Sequence, residues 1–530
     1  MQTSPSLRAS GLYSSLRRGV PARDWDTIVI GSGIAGMSCA AALGLAGQRV
    51  LLLEQHSVPG GMTHCFTRRG FKWDVGVHCV GEQGPHDVAG RLLAWLTAGR
   101  LEMRRLPETY ERFWFPGDVQ LTYSSDTHHF RAQLAAQFPA EASALRRYFE
   151  LVDTVFDVAR PFYALKATPL SVNRAGTAAL GWLWRRHWSR RTREVLDSLF
   201  KDERLKSLLS AQWGYFGSPP SRSSFGMHAM VARHFYDGAF YPVGGAEAFA
   251  RELLTTLKAV GGEAWVLAPV QRVMLESGRA VGVELPGGVS LRARRVVAGV
   301  GVLNSLRLLP EDHQRSGWAQ RLDALPSSPA YLCLNLGFAG DLRAAGASET
   351  NNWLLESWDV DDAWWNIEDP EAVPPIAYLS FPSLKDPTHG QPLRHTGEVL
   401  TFVHWEAFQK WAGTQWRRRG PAYESLKAAL CERLLAHLRR RLPTIMRHLV
   451  FHELSTPLST AHFTRAWKGG IYGLETTPER FASTDLCAHT PIPGLYLTGG
   501  DVVAPGIAGA LVSGVITASA IKPTLFRKLL

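Results

Sequence analysis

Three glycines near the start of the chain have the spacing of a phosphate-binding turn. Gly31, Gly33 and Gly36 form GxGxxG directly after residues 27–30, an apolar run typical of a buried strand. The first glycine permits a tight turn, the second lets the backbone approach a pyrophosphate, and the third lets helix and strand pack closely. Free N–H groups at the start of the following helix would face the phosphates. The pattern therefore predicts dinucleotide binding.

The residues that follow complete the unit that such a turn requires. A helical stretch extends to Ala46, and residues 49–53 form a second apolar run that predicts a strand. Glu54 ends this run, where a carboxylate can accept hydrogen bonds from an adenosine ribose. We assign to the same predicted site three neighbours of these elements, Ile34, Ala35 and Gln55.

A glycine pair further along the chain distinguishes a predicted FAD site from an NAD site. Gly60 and Gly61 come six residues after Glu54, and GFKWDVGVH follows at residues 70–78. This order resembles the FAD-binding segment of the amine oxidase and phytoene desaturase superfamily, whereas NAD dehydrogenases lack the GG continuation. The resemblance implies FAD as the cofactor, with Met62 beside the flavin.

The middle of the chain resembles the segment that returns to the FAD domain in this superfamily. A helix is predicted over residues 246–260, and three short strands are predicted before residue 304, with turns at 277–278 and 287–288. The resemblance places Val270 where the backbone meets the adenine.

The C-terminal part supplies a third piece of the same site. A strand is predicted at residues 495–498, followed by a turn that contains Gly500 and Asp501. In the superfamily the position of Asp501 bonds the ribityl chain of FAD. A helix begins near Gly506 and Ile507, and its N-terminal partial positive charge would favour an anionic reduced flavin ring.

Four segments resemble the retinol saturase (all-trans-retinol 13,14-reductase) branch of the phytoene desaturase and carotenoid isomerase superfamily. They match in order and spacing, and they lie at residues 60–82, 223–245, 381–388 and 455–475. The resemblance implies an FAD-dependent oxidoreductase that saturates a conjugated C=C bond of a retinoid or carotenoid. Three alternatives stay open: a desaturase or cis–trans isomerase of the same fold, a non-catalytic lipid-binding protein of the Rab GDP-dissociation-inhibitor type, and an amine oxidase, against which the C-terminal segments favour the polyene branch.

Saturation also needs a proton donor, and no sequence fingerprint identifies it. Six candidates lie in these segments: His64, His78, His228, His234, Tyr241 and Tyr472. His64 and Tyr241 rank first because glycine motifs flank them. Asp74 is expected to be a turn or cap residue, and no metal site is predicted.

The predicted fold class is α/β, a Rossmann-type FAD-binding domain of the glutathione-reductase and amine-oxidase kind with an interleaved α+β substrate domain. The FAD domain is expected at residues 24–88, 241–304 and 483–524, and the substrate domain at 89–240 and 305–482. Residues 1–23 are expected to be a loose basic tail, with ordered structure beginning near Trp25.

The net charge of +11 and the hydrophobic fraction of 45% indicate a basic globular protein. No nucleic-acid-binding module is present. The arginine-rich and tryptophan-rich residues 174–190 predict a peripheral membrane contact, and a surface helix is the alternative. The uncharged residues 502–521 predict a buried helix rather than a membrane span. A cytoplasmic location is expected, with organellar targeting by the basic tail left open.

The source of electrons is expected to be an external donor. Gly299 and Gly301 form the start of a second glycine motif, but the third glycine and the sequence signal for a following helix are missing. The chain is therefore not expected to contain an NADPH domain of its own.

Overall fold

A mainly parallel sheet, called the parallel sheet below, forms the first half of the fold, and only its pairs at one edge are antiparallel. The computed structural model describes residues 7, 10–19, 23–117 and 119–529. Within them, eight strands form this sheet in the spatial order Ser14–Ser15, Glu263–Val266, Val50–Leu53, Trp25–Ile30, Val289–Ala298, Arg279–Leu285 and Arg272–Glu276, with Leu495–Leu497 also paired with Val289–Ala298. The Rossmann-type α/β prediction is confirmed.

The central strands are apolar because both faces of the sheet are covered. All four residues of Val50–Leu53 are buried, and helix Ile34–Leu45 lies against the sheet with nearly every residue buried. Gly36 permits this close approach, since a Cβ there would lie 2.0 Å from the carbonyl oxygen of Gly31. Helix Gly506–Ile521 packs against the same helix, and a Cβ at Gly514 would lie 2.5 Å from Ala35 O.

Two sequence predictions for this sheet are wrong. Ordered structure begins before Trp25, because Ser14–Ser15 pairs in parallel with residues 265–266. Residues 1–6, 8–9 and 20–22 of the predicted tail lie outside the described residues. Four strands rather than three follow helix Glu247–Ala259, because Leu267, with a φ of 54°, breaks the strand direction after Val266.

A mixed sheet forms the second half of the fold. Its order is Leu449–Ser455, Ala330–Ala339, Arg394–Val403, Ile376–Ser380, Asn351–Leu355, Thr109–Phe115 and Val119–Ser124. Two antiparallel pairs complete the strands of the described chain: the hairpin Cys65–Arg68 with Phe71–Asp74, and the sequence-distant pair Met103–Arg105 with Phe240–Pro242. Helix Pro421–Arg441 shares a hydrophobic cluster with one face of the mixed sheet.

The remaining α-helices surround the two sheets. They are Val88–Thr97, Thr127–Gln137, Ala142–Leu165, Leu170–Leu180, Trp182–Trp188, Thr192–Leu199, Glu203–Ser210, Phe225–His234, Val302–Arg307, Glu311–Gln314, Gly317–Asp323, Pro382–Lys385, Glu406–Gln409, Pro443–Met446, Pro457–Thr464 and Pro478–Ala482. Among the described residues, no helix has the length and apolar character that crossing a bilayer requires.

The predicted boundary between residues 88 and 89 falls inside a helix. Helix Val88–Thr97 continues across it and contacts helix Gly506–Ile521 of the predicted FAD domain. A short strand pair, Met103–Arg105 with Phe240–Pro242, then joins the two proposed domains. The division into domains stays a prediction, and this boundary would be better placed after residue 105.

Candidate active site

A cavity of about 590 Å³ is lined by residues of both sheets. The parallel sheet contributes the ends of its central strands at Ile30 and Leu53, whereas the mixed sheet contributes Tyr331, Trp353 and other apolar side chains. A ligand in this cavity would therefore contact both halves of the fold. Clefts of this size between two structural units are typical binding sites for small molecules and cofactors.

The glycine turn forms one wall of the cavity. Gly31 has a φ of 92°, and a Cβ there would lie 2.8 Å from Gly299 O. Gly33 differs, because a Cβ built on it meets no atom within 4 Å. Gly33 is also the N-cap of helix Ile34–Leu45, without a side-chain cap. Open space in front of uncapped N–H groups fits a pyrophosphate.

Glu54 is fixed at the end of strand Val50–Leu53 and lines the same wall. Its Oε2 accepts hydrogen bonds from the backbone N–H of Ser32 at 3.0 Å and from Ser32 Oγ at 2.6 Å. Its Oε1 accepts from the His56 N–H at 2.7 Å. The carboxylate is thereby oriented at the cavity edge, as ribose recognition requires.

The GG pair continues this wall with unusual backbone angles. Gly60 and Gly61 have φ values of 124° and 55°, and the Gly60 N–H donates to Ser32 O at 3.2 Å. A Cβ at Gly61 would lie 2.9 Å from the Cα of Gly33. Both positions therefore need glycine, since positive φ and close contact exclude larger residues.

Asp501 joins three distant chain segments at the cavity. Its Oδ2 accepts from the Val302 N–H at 2.8 Å, and its Oδ1 accepts from the Leu474 N–H at 2.7 Å. Helix Gly506–Ile521 begins a few residues later, and its N-cap Pro505 provides no side-chain hydrogen bond. Its first N–H groups thus present partial positive charge beside the cavity.

Most of the predicted cofactor residues are brought together in this cavity. Its lining includes Gly31, Gly33, Ile34, Ala35, Glu54, Gln55, Gly61, Met62, Val270, Gly500, Asp501, Gly506 and Ile507. Gly36 and Gly60 lie behind the lining, where they support the turns. The residues present form a continuous cradle of glycine turns, helix N-termini and carboxylates, which fits FAD.

The two preferred proton-donor candidates are placed differently. His64 is buried and lines the cavity, and burial lowers its pKa to about 4. Its Nδ1 contacts Gly61 O, and among the described residues its Nε2 has no hydrogen-bond partner. Tyr241 lies outside the lining, and its hydroxyl donates to Asp74. Both assignments remain predictions.

The other candidates divide in the same way. His78 and Tyr472 line the cavity. His228 instead contacts Tyr148, and His234 contacts Glu82, both outside it. Asp74 lies at the end of strand Phe71–Asp74 rather than in a turn, and it accepts the Ala246 N–H just before helix Glu247–Ala259. The expected capping role is thus exerted on a helix distant in sequence.

Sequence reasoning missed the polar residues at the far end of the cavity. Tyr215 and Tyr378 line it, and the buried Glu111 accepts hydrogen bonds from Tyr215 and Trp353. One signal for Glu111 was available. Alternation in strand Thr109–Phe115 places it on the same buried face as Phe113 and Phe115, where an acid is unusual.

Comparison with known proteins identifies relatives over nearly the whole chain. The family model described as flavin containing amine oxidoreductase matches residues 34–522. All-trans-retinol 13,14-reductase of Danio rerio is 30% identical over 521 residues, which cover 94% of this chain and 86% of the relative. Chloroplastic prolycopene isomerase of Daucus carota is 24% identical over 517 residues, which cover 94% and 80%.

Solved structures support the same architecture. A putrescine oxidase variant, from a structure-based redesign of cofactor binding, superposes with a TM-score of 0.64. It is 18% identical in sequence, and the match covers 95% of this chain and all of that one. At this identity the likeness establishes the fold and leaves the substrate to be argued from the cavity.

Proposed function

The chain belongs to the flavin-containing amine oxidoreductase family, and from that premise we propose that it saturates one conjugated C=C bond of a lipid-like polyene. The retinoid or carotenoid class is the proposed substrate. The observation that carries the proposal is the far end of the cavity, which is lined by Val75, Tyr331, Trp353, Ile376, Leu400, Phe402 and Ile471. A long, flat, apolar ligand gains free energy by burial against such side chains.

The chain's own residues would bind and orient both ligands. Glu54 and the glycine turn would hold the adenosine and pyrophosphate of FAD, and the Gly506 helix start would face the flavin end. Bound FAD supplies the hydride that adds to the alkene. The aromatic lining would fix the polyene beside it and exclude bulk water from the apolar end of the cavity.

We also propose that the reducing electrons come from an external donor. A short helix, Val302–Arg307, does follow Gly299 and Gly301, contrary to the sequence expectation. The turn itself lines the same cavity as the first glycine motif. It is therefore better suited to contact FAD than to form a second nucleotide site.

Anaerobic reoxidation tests the proposed reaction. The purified protein is photoreduced, all-trans-retinol is added in detergent, and the oxidised flavin band is followed together with the product mass. We expect the band to return with a product two mass units heavier. An unchanged mass would support isomerisation, and a flavin that stays reduced would contradict retinol as an acceptor. A colourless protein would support the lipid-binding alternative.

A basic patch supports a further proposal, a peripheral contact with anionic membranes. Trp182 is 71% exposed, and Val172 and Leu180 are also exposed on the neighbouring helix. Arg185 and Arg186 are exposed beside them. The patch is smaller than residues 174–190 had suggested, because two of its tryptophans, Trp184 and Trp188, are buried. Exposed tryptophan with arginine suits the interface of an anionic bilayer.

Vesicle binding tests this contact. The double substitution R185E/R186E should weaken sedimentation with phosphatidylserine vesicles about 30-fold or more, because each arginine near such a surface contributes about 1 kcal/mol. The matched control is R439E/R440E, which changes the same charge at two exposed arginines of helix Pro421–Arg441. Equal losses of vesicle binding in the two double variants would contradict a specific contact at Arg185 and Arg186.

A further inference from the structure

A hydrogen-bonded pair lies under the apolar end of the cavity. Tyr215 lines the cavity, and its hydroxyl donates to Oε1 of Glu111. The same hydroxyl lies 3.3 Å from Asn351 Nδ2, which donates to it. Tyr215 is thus one point at which a buried polar network reaches the cavity, and it is the one with a hydroxyl bonded to Glu111.

Glu111 is a buried acid, and no charged group among the described residues contacts it directly. It has no exposed surface, and its Oε2 accepts from Trp353 Nε1 at 3.0 Å. Burial raises the pKa of this carboxyl to about 7, more than its hydrogen bonds lower it. Near neutral pH the carboxyl therefore both holds and releases a proton.

The network continues to a buried lysine. Asn351 Oδ1 accepts from Lys385 Nζ, which also donates to His78 O at 2.8 Å and to Ser380 Oγ at 2.7 Å. Burial lowers the pKa of Lys385 to about 8. The titratable groups that face Glu111 are Cys79, Tyr110, Tyr123, Tyr215, Tyr378 and Lys385.

We propose that Tyr215 donates the proton that completes saturation of the substrate, and that Glu111 restores this proton. The inference rests on the proposed function. Tyr215 is the catalytic residue in this assignment because it lines the cavity and bonds directly to Glu111. Glu111 acts through Tyr215 and does not line the cavity. His64 also lines the cavity, but its Nδ1 faces a backbone carbonyl rather than an acid that could resupply a proton.

The proposed step balances in atoms and electrons. The alkene π bond breaks, and two electrons arrive as a hydride from the reduced flavin to form one C–H bond. The Tyr215 O–H bond breaks, and its proton forms the C–H bond at the neighbouring carbon. The Glu111 proton then moves to the tyrosinate oxygen, and after the product has left the cavity, solvent returns a proton to the carboxylate through Tyr215. Transfer from Glu111 to tyrosinate is favourable because a phenol is the weaker acid.

Two variants and one control test this assignment. Y215F should slow polyene-dependent reoxidation of the reduced protein by about 100-fold, the usual size of a lost acid–base contribution. In repeated turnover with dithionite as the reductant, the wild-type rate should fall as pH rises through about 7, since restoring the Tyr215 proton needs the carboxyl form of Glu111. E111Q should be slower and lose this pH dependence. The control is Y148F, which removes a buried hydroxyl bonded to His228 outside the cavity.

An infrared titration provides a readout independent of turnover. The wild-type protein should show a carboxyl C=O band that disappears as pH rises through about 7, and E111Q should lack it. A band that titrates in the ordinary glutamate range would overturn the assignment, as would a Y215F protein with wild-type rate and pH profile. A wild-type protein that no polyene reoxidises would instead overturn the proposed function, even with the band present.

Discussion

Substitution of Gly33 with valine should give a folded protein that purifies without flavin colour. Gly33 has ordinary backbone angles, with φ −61° and ψ 169°, and a Cβ there meets no protein atom within 4 Å. The valine side chain would therefore fit the protein but occupy the space assigned to the pyrophosphate. Loss of two charge-assisted hydrogen bonds at about 1.5–3 kcal/mol each weakens binding about 10²- to 10⁴-fold.

The measurement is flavin content and FAD affinity, with circular dichroism and thermal unfolding of the apoprotein as the test of folding. Gly413→Val is the matched control, because a Cβ there also meets nothing within 4 Å and lies outside the cavity lining. Retention of FAD by G33V at wild-type affinity would contradict the placement of the pyrophosphate. Loss of folding in G33V but not in G413V would contradict the open space in front of Gly33.

Substitution of Asp501 with alanine should destabilise the protein and remove FAD together. The carboxylate is 5% exposed and accepts the N–H groups of Val302 and Leu474. Alanine would leave both buried donors without an acceptor, at about 1–3 kcal/mol each. The expected loss of about 2–6 kcal/mol is a large part of a typical free energy of unfolding.

Urea unfolding of the apoprotein measures this effect separately from FAD binding. D501N is the companion variant, because its amide keeps one acceptor oxygen and should recover about half of the lost free energy. The Asp501 side chain also leaves no room for a side chain at Gly473, where a Cβ would lie 2.4 Å from Asp501 Oδ1. Equal unfolding free energies for wild type, D501N and D501A would show that Asp501 does not join the three segments.

Local sequence patterns predicted the structure around the glycine turn well. The turn at Gly31 and Gly33 and the acid at Glu54 lie within one continuous βαβ segment, so spacing alone defines their geometry. The predicted helix over residues 246–260 agrees within one residue with helix Glu247–Ala259. Such features depend on neighbours in sequence.

The apolar end of the cavity, where we propose that the substrate binds, depends on contacts that the spacing of residues in the sequence does not encode. Tyr215 and Glu111 are 104 residues apart, and only the packing of the mixed sheet brings them together. Tyr241 shows the converse, because a flanking glycine motif suggested the cavity and the side chain instead bonds Asp74. The early strand Ser14–Ser15 was missed because two polar residues paired at a sheet edge have no apolar pattern.

The arrangement of the parallel sheet has a consequence for biosynthesis. Helix Ile34–Leu45 is made long before its partner helix Gly506–Ile521 and the strand Leu495–Leu497. During translation, the apolar surface of helix Ile34–Leu45 therefore stays uncovered until residues 495–521 have been made. Contacts of such long sequence separation form slowly and leave intermediates open to aggregation. We expect nascent chains that stop before residue 495 to need a chaperone and to capture no flavin.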